Sequence, residues 1–356
     1  MSKVLGFFLF LFFAVSSLFG QIPPGYYDSA EGLNGVALKN ALHTIISSGT
    51  TSVSYTNLWT AFETTDKKLN GKVWDMYSDI PDGTPPYEFT FDTDQCGNYS
   101  GEGDCYNREH SFPSSWFNDN SPMYSDLFHL YPTDGYVNNK RSNYPFGEVG
   151  SASWTAQNGG KLGNSSFPGY TGVVFEPIDA YKGDFARSYL YMSVRYSTNF
   201  SSFSSPMISG GEYTTWAINL LLQWHQLDTV SQKEINRNNV VYGKQHNRNP
   251  FIDHPEWVNA IWGTSSVNEE SSSYAAFHVF PNPASDVISI SYSADFSESL
   301  LITITDLSGK VIWSKEANAC NFQTEVETNN FSAGFYFASL SVDKKPLITR
   351  KIIILK

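Results

Sequence analysis

The hydrophobic rhythm of the chain changes once, and that change does most to limit the folds open to it. Between Ser265 and Ser273 the sequence is polar and serine-rich, the composition of a linker. Before this stretch, apolar residues recur with a helical period. Leu33, Val36, Ala37, Leu38, Ala41, Leu42, Ile45 and Ile46 share one face at 3.6-residue spacing, which predicts a helix over 28–48 with Asp28 or Ser29 at its N-cap. Further helices are predicted over 184–195, 216–225 and 231–242, a short strand over 73–77, and a loop over the Gly-, Asp- and Asn-rich residues 92–105. After the linker, apolar and polar residues alternate in Val287–Tyr292, Leu300–Asp306, Val311–Ser314, Gly334–Val342 and Thr349–Leu355. That period of two predicts a small antiparallel β-sandwich. The fold class is therefore α+β: a mainly helical domain over 21–265, a linker over 266–274 and a β-sandwich over 275–356.

The first twenty residues belong to neither domain. Met1-Ser2-Lys3 is a short positive start, Val4 to Phe19 is almost wholly apolar, and Ser16, Ser17 and Gly20 supply small residues before Gln21. This is the layout of a secretory signal peptide over 1–20. The alternative, a membrane anchor, needs about 20 apolar residues, more than this core provides. The three cysteines of the chain do not make a disulfide scaffold. Cys96 and Cys105 lie close together, and in an oxidising compartment they close a small loop. Cys320 lies far off and is expected to be unpaired.

Charge argues first against a nucleic-acid partner. The net charge is −12, and residues 21–265 carry 15 basic and 25 acidic side chains. Basic residues nevertheless cluster in a few segments, among them Arg108, Lys140, Arg141, Lys182, Arg187 and Arg248. An acidic body with a local basic groove binds nucleic acid in a salt-sensitive way, which suits an enzyme that must release its product.

The chemistry concentrates in two segments. Arg108-Glu109-His110-Ser111-Phe112-Pro113 holds an acid beside an imidazole, and Asn138, Lys140 and Arg141 follow about thirty residues on. Phosphodiester hydrolysis needs a base for water, a hard oxygen-rich metal site and cations for the phosphate. A neutral histidine fits the first need. Mg²⁺ keeps most of its waters and takes one or two protein oxygens. A softer zinc site needs more His or Cys ligands. Glu109 and His110 are adjacent, so on an ideal strand they point to opposite faces; for both to serve one site the strand must end, bulge or twist there. His246, Asp253 and His254 also lie close in sequence, but without a metal-ligand spacing they read as structural.

Residues from about 26 to 262 resemble the endonuclease I family of secreted or periplasmic nucleases. The resemblance rests on Asn107-Arg108-Glu109-His110-Ser111-Phe112-Pro113, on Asp126-Leu127 through Asn143, on Lys182-Gly183-Asp184-Phe185-Ala186-Arg187 through Met192, and on Gln245-His246-Asn247-Arg248-Asn249-Pro250 through Asp253. It implies a ββα-metal core, His110 as general base, Glu109 and Asn138 as metal ligands, Mg²⁺ as cofactor with Ca²⁺ or Mn²⁺ as alternatives, and 5′-phosphate products from DNA, RNA or both. Arg141, one helical turn beyond Asn138, and Arg187 are the expected phosphate contacts. Family members often carry Asp-Leu-His-Asn-Leu where this chain has Asp126-Leu127-Phe128-His129-Leu130, so the polar positions are shifted by one at His129.

The C-terminal block resembles the sorting domain of type IX secretion substrates. Its matching pieces are Phe280-Pro281-Asn282-Pro283-Ala284-Ser285, Asp306 through Lys310, Ser332 through Tyr336 and the ending Arg350 through Lys356. This resemblance implies export by the type IX secretion machinery to the medium or the cell surface. The expectation is a secreted, monomeric, non-specific endonuclease. Two alternatives stand beside it: a catalytically inactive cell-surface binding protein on the same fold, and a phosphoesterase acting on small molecules.

Overall fold

The computed structural model describes residues 22–263, 277–293, 300–306, 309–317, 321–342 and 345–355. The signal segment, the linker and Cys320 lie outside the described residues. The chain divides into two compact units after Gly263, each with its own apolar core.

The first unit is built on helices. A 3₁₀ turn at Asp28–Ala30 precedes α1 (Gly35–Ser47). The predicted helix over 28–48 therefore starts late, because the chain turns at Gly32 in the left-handed region at φ 72°. Asn34, not Asp28 or Ser29, is the residue before α1. Leu38, Leu42 and Ile46 are fully buried as their spacing requires, whereas Val36 is exposed. Helix α2 (Leu58–Thr65) follows. Residues 73–77 form no strand. Asp75 Oδ1 accepts the Tyr77 amide at 2.8 Å and Oδ2 accepts the Asp134 amide at 3.1 Å, so its side chain holds a turn where alternation suggested extended backbone.

Strand β1 (Tyr106–His110) pairs antiparallel with β2 (Leu130–Asp134), in register from Tyr106 opposite Asp134 to His110 opposite Leu130. Helix α3 (Gly135–Arg141) follows β2 directly, capped by Asp134, whose side chain accepts the Val137 amide. Cys96 and Cys105 are disulfide-bonded, and the bridge packs on the start of α3. A Cβ on Gly135 would lie 2.5 Å from the Cys96 sulfur, so only glycine fits there.

A three-stranded sheet, β3 (Val149–Thr155), β4 (Lys161–Ser165) and β5 (Val173–Glu176), comes next. Then comes α4 (Lys182–Arg195), buried on every side from Lys182 to Val194. A helix enclosed all round is a core helix. A two-residue hairpin, β6 (Ile208–Ser209) and β7 (Glu212–Tyr213), leads to α5 (Thr215–Leu227) and α6 (Gln232–Gln245), the last opened by a Ser231–Glu234 capping box. Two short helices, α7 (Pro250–Asp253) and α8 (Glu256–Trp262), close the unit.

The second unit carries β8 (Phe277–Phe280), β9 (Val287–Ser293), β10 (Leu300–Thr305), β11 (Val311–Ala317), β12 (Asn321–Glu327), β13 (Gly334–Val342) and β14 (Lys345–Ile354). They form antiparallel sheets of order β11-β10-β13-β14 and β12-β9-β8. Ile288, Ile290, Ile302, Ile304, Val326 and Ile352 share one core. The Phe280–Ser285 motif is part of that framework. Asn282 donates to the Lys351 carbonyl and accepts the Ile353 amide, which ties the segment to β14. Among the described residues no helix is long and apolar enough to cross a membrane.

Candidate active site

The β1–β2–α3 unit brings three predicted residues to one place. An open cleft of about 140 Å³ is lined by Arg108, Glu109, His110, Pro113, Ser114, Ser115, Asn138, Ser142 and Asn143. β1 ends at His110 without a bulge, and both Glu109 and His110 reach the cleft at that end.

His110 is held as a neutral imidazole. Its Nε2 donates to the Tyr124 carbonyl at 3.0 Å, so Nδ1 keeps its lone pair. Its ring stacks on Tyr124 at 5.0 Å and faces Tyr55 at 5.9 Å. Burial, with the neighbouring His129 ring, pushes the imidazole down to about 3, so it is uncharged at neutral pH. The Tyr124 carbonyl, fourteen residues downstream, fixes the ring orientation. His129 is fully buried, bonds the Met123 carbonyl at 2.7 Å and lies 5.6 Å from His110. It packs against the His110 ring and is absent from the cleft wall.

Glu109 is buried but only half engaged. Tyr77 and Arg141 both donate to its Oε1 at 2.8 Å, which leaves Oε2 for the cleft that Glu109 lines. Burial pushes its carboxyl up to about 7, against the pull of Arg141 and Tyr77. Asn138, on α3, lines the same cleft, and its side chain takes no hydrogen bond within the described protein. One free carboxylate oxygen and one free amide oxygen are hard donors of the kind Mg²⁺ takes. Among the described residues no cluster of three or more His, Cys, Asp or Glu side chains converges as a metal site.

The two expected phosphate arginines are placed elsewhere. Arg141 is fully buried. It donates to Glu109, to the carbonyls of His110 and Ser111, and to the Tyr189 hydroxyl. Both of its terminal nitrogens are taken by protein and its Nε is buried without a partner, so it fixes Glu109 and the end of β1 and stays out of the cleft. Arg187 is also fully buried. It makes a bidentate pair with Glu234 at 2.5 and 2.8 Å and caps the end of α5 through the Asp228 carbonyl. It joins α4 to α6 and lies outside the cleft. The His246, Asp253 and His254 group is structural, as its spacing suggested. Asp253 pairs with Arg248, His254 stacks on Trp257, and His246 is an exposed helix cap.

Arg108 is the arginine that does reach the cleft. It lines the cleft, its guanidinium lies 3.9 Å from the Tyr55 ring and 4.5 Å from Trp59, and it donates to the Tyr55 carbonyl at 2.9 Å. It forms no ion pair among the described residues. The signal for it was in the strand period: Arg108 and His110 are two apart and share a face.

Comparisons with known proteins place the chain among nucleases. Residues 34–256 match the Endonuclease I family, and residues 278–355 match the secretion system C-terminal sorting domain. The chain is 36% identical over 248 residues to an extracellular ribonuclease of Bacillus amyloliquefaciens, covering 67% of this chain and 78% of that protein. It is 35% identical over 244 residues to an extracellular ribonuclease of Bacillus subtilis (strain 168), with the same coverage. Endonuclease-1 of Buchnera aphidicola subsp. Baizongia pistaciae (strain Bp) is 27% identical over 129 residues, covering 36% of this chain and 46% of that protein. The chain belongs to the Endonuclease I family and carries a secretion sorting domain that sends it out of the cell or to the cell surface.

Proposed function

We propose that this secreted nuclease hydrolyses internal phosphodiester bonds of RNA, DNA or both, with His110 as the general base. The observation that carries the reading is the His110 imidazole, pinned through Nε2 and lining one cleft with Glu109, Asn138 and Arg108. Water attacks phosphorus and gives its proton to His110 Nδ1. The bond from phosphorus to O3′ breaks and the leaving oxygen takes a proton from solvent water, which leaves a 5′-phosphate and a 3′-hydroxyl. Arg108 holds a non-bridging phosphate oxygen, and the Tyr55 and Trp59 rings fix its guanidinium. Glu109 Oε2 and Asn138 would hold a divalent cation, Mg²⁺ by their donor type, which neutralises charge at the scissile phosphate. The cleft reads phosphate and not base edges, which favours low sequence specificity. The names of the Bacillus relatives favour RNA among the substrates.

The test compares the wild-type full chain with His110→Ala on supercoiled plasmid and total RNA, with Mg²⁺ or with EDTA. Loss of a general base lowers turnover by about 10²- to 10⁴-fold. Cutting by wild type alone, and only with metal, supports the assignment and reads the substrate preference from the same gel. Equal cutting by both proteins would overturn it.

A further inference from the structure

Beside the candidate site lies a larger cleft that the phosphate chemistry does not use. It measures about 430 Å³ and is lined by Trp116, Tyr144, Pro145, Tyr170, Ser204 and Pro206, with Ser115 and Asn143 shared between it and the His110 cleft. The shared pair is joined by an Asn143–Ser115 hydrogen bond at 3.4 Å, so one ridge separates the two. We propose that this second cleft binds an unpaired nucleobase next to the scissile phosphate, and that the substrate is therefore single-stranded nucleic acid. The proposal rests on the nuclease reading of the first cleft and names the substrate class that it takes.

Three observations carry it. None of the residues lining the cleft is charged, so it suits a neutral group and not a second phosphate. Its volume lies in the range of small-ligand pockets, about 300–1,000 Å³, although it is open to solvent. Its aromatic wall is fixed. Tyr170 stacks on Trp216 at 4.4 Å with the rings 9° from parallel. Flanking glycines make room for that stack: a Cβ on Gly169 would lie 2.9 Å from the Trp216 Cβ, and one on Gly172 would lie 2.3 Å from the Tyr170 hydroxyl. Tyr144, 38% exposed, adds a second ring directly after Asn143. A held aromatic face beside a phosphate site is how proteins bind unpaired bases, since every base offers a π-face. A base inside a duplex is already stacked and unavailable to such a wall.

Binding tests the proposal without cleavage. The full chain carrying His110→Ala is titrated, by fluorescence anisotropy, into a labelled single-stranded oligonucleotide, an abasic strand of equal length and a duplex. The base-bearing strand is expected to bind about tenfold tighter than the abasic strand, as one stacked base implies, and tighter than the duplex. Tyr144→Ala and Tyr170→Leu should each reduce that advantage while leaving abasic binding unchanged, and Tyr170→Trp should keep it. Unchanged abasic binding also shows that each variant is folded. Equal affinity for base-bearing and abasic strands, or tighter binding of duplex, overturns the proposal. Wild-type cleavage is scored separately. A base-dependent advantage in a chain that cuts nothing would sink the nuclease reading and leave the base cleft standing.

Discussion

Arg108 and Arg141 both sit against the end of β1, yet burial separates their work. Arg141 is enclosed and hydrogen-bonded to Glu109, two carbonyls and Tyr189, whereas Arg108 stays on the cleft wall between two rings. Removing one partner of a buried pair leaves the other charge uncompensated. Arg141→Ala is therefore expected to destabilise the catalytic unit by about 3–5 kcal/mol, read as a lower urea midpoint at unchanged slope. A midpoint within error of wild type would mean that Arg141 is not a structural ion. Arg108→Ala should behave in the opposite way. Its midpoint should stay close to wild type, and KM for nucleic acid should rise about tenfold, the value of one charge-assisted hydrogen bond. Arg108→Lys should recover only part of this, because a lysine lacks the planar fork. Steady-state kinetics on one RNA substrate separates the cases. The sequence placed both arginines near the acid–base pair but could not tell them apart. Spacing along α3 put Arg141 on the face of Asn138, and only packing against Phe146, 4.6 Å from its guanidinium, shows that this face is closed.

Among the elements, legibility followed apolar period. Helices α1, α4, α5 and α6 were visible because their apolar residues recur at helical spacing, and β9, β10, β11, β13 and β14 because theirs alternate, whereas β8 and β12 were not foreseen. Strand β3 was invisible: it exposes most of its residues, and its Gly150, Ser151 and Ser153 carry no apolar signal. The joint between α4, α5 and α6 was equally hidden, since Arg187, His225, Asp228 and Glu234 meet only in the fold. There His225 donates to the Pro255 carbonyl through Nε2 and accepts from Arg187 at Nδ1. Burial, then the Arg187 charge, pushes the imidazole down to about 4. Burial, then the Asp184 charge, pushes the Asp228 carboxyl up to about 7. The two shifts act on stability with opposite signs. From an unfolded value of about 6.5 down to about 4, the unfolded chain binds the His225 proton more readily, so stability is lost as pH falls. From about 4 up to about 7, the folded chain holds the Asp228 proton more readily, so stability is lost as pH rises. Between pH 4 and 7 the contributions oppose each other. His225→Gln should tilt the stability-against-pH slope downward relative to wild type, and Asp228→Asn should tilt it upward. Urea titrations at a series of pH values measure both slopes. Parallel slopes in all three proteins would show that neither group is shifted.

For the whole molecule, the question is whether catalysis needs the second unit. The chain divides after Gly263, next to the composition break at Ser265–Ser273, and the two cores share no residue. Every side chain of the candidate site, its orienting carbonyl at Tyr124 and the disulfide beside α3 lie before Gly263. The sorting domain supplies export, and its Phe280–Ser285 motif is occupied in holding β14. A chain ending at Gly263 should therefore keep kcat/KM within about twofold of the full chain, as expected of a domain with its own core. Its urea midpoint should match the transition at which the full chain loses activity. Cleavage that falls more than about tenfold on truncation, far beyond the scatter between independent domains, would show instead that the C-terminal unit takes part in catalysis. Reduction probes the first unit from within. The Cys96–Cys105 bridge closes a short loop against Gly135, so opening it should lower stability by about 2–4 kcal/mol and loosen α3, which carries Asn138. The expected signature is a weaker response to Mg²⁺ before any loss of helix by circular dichroism, because the loosened element holds an expected metal ligand and little of the core.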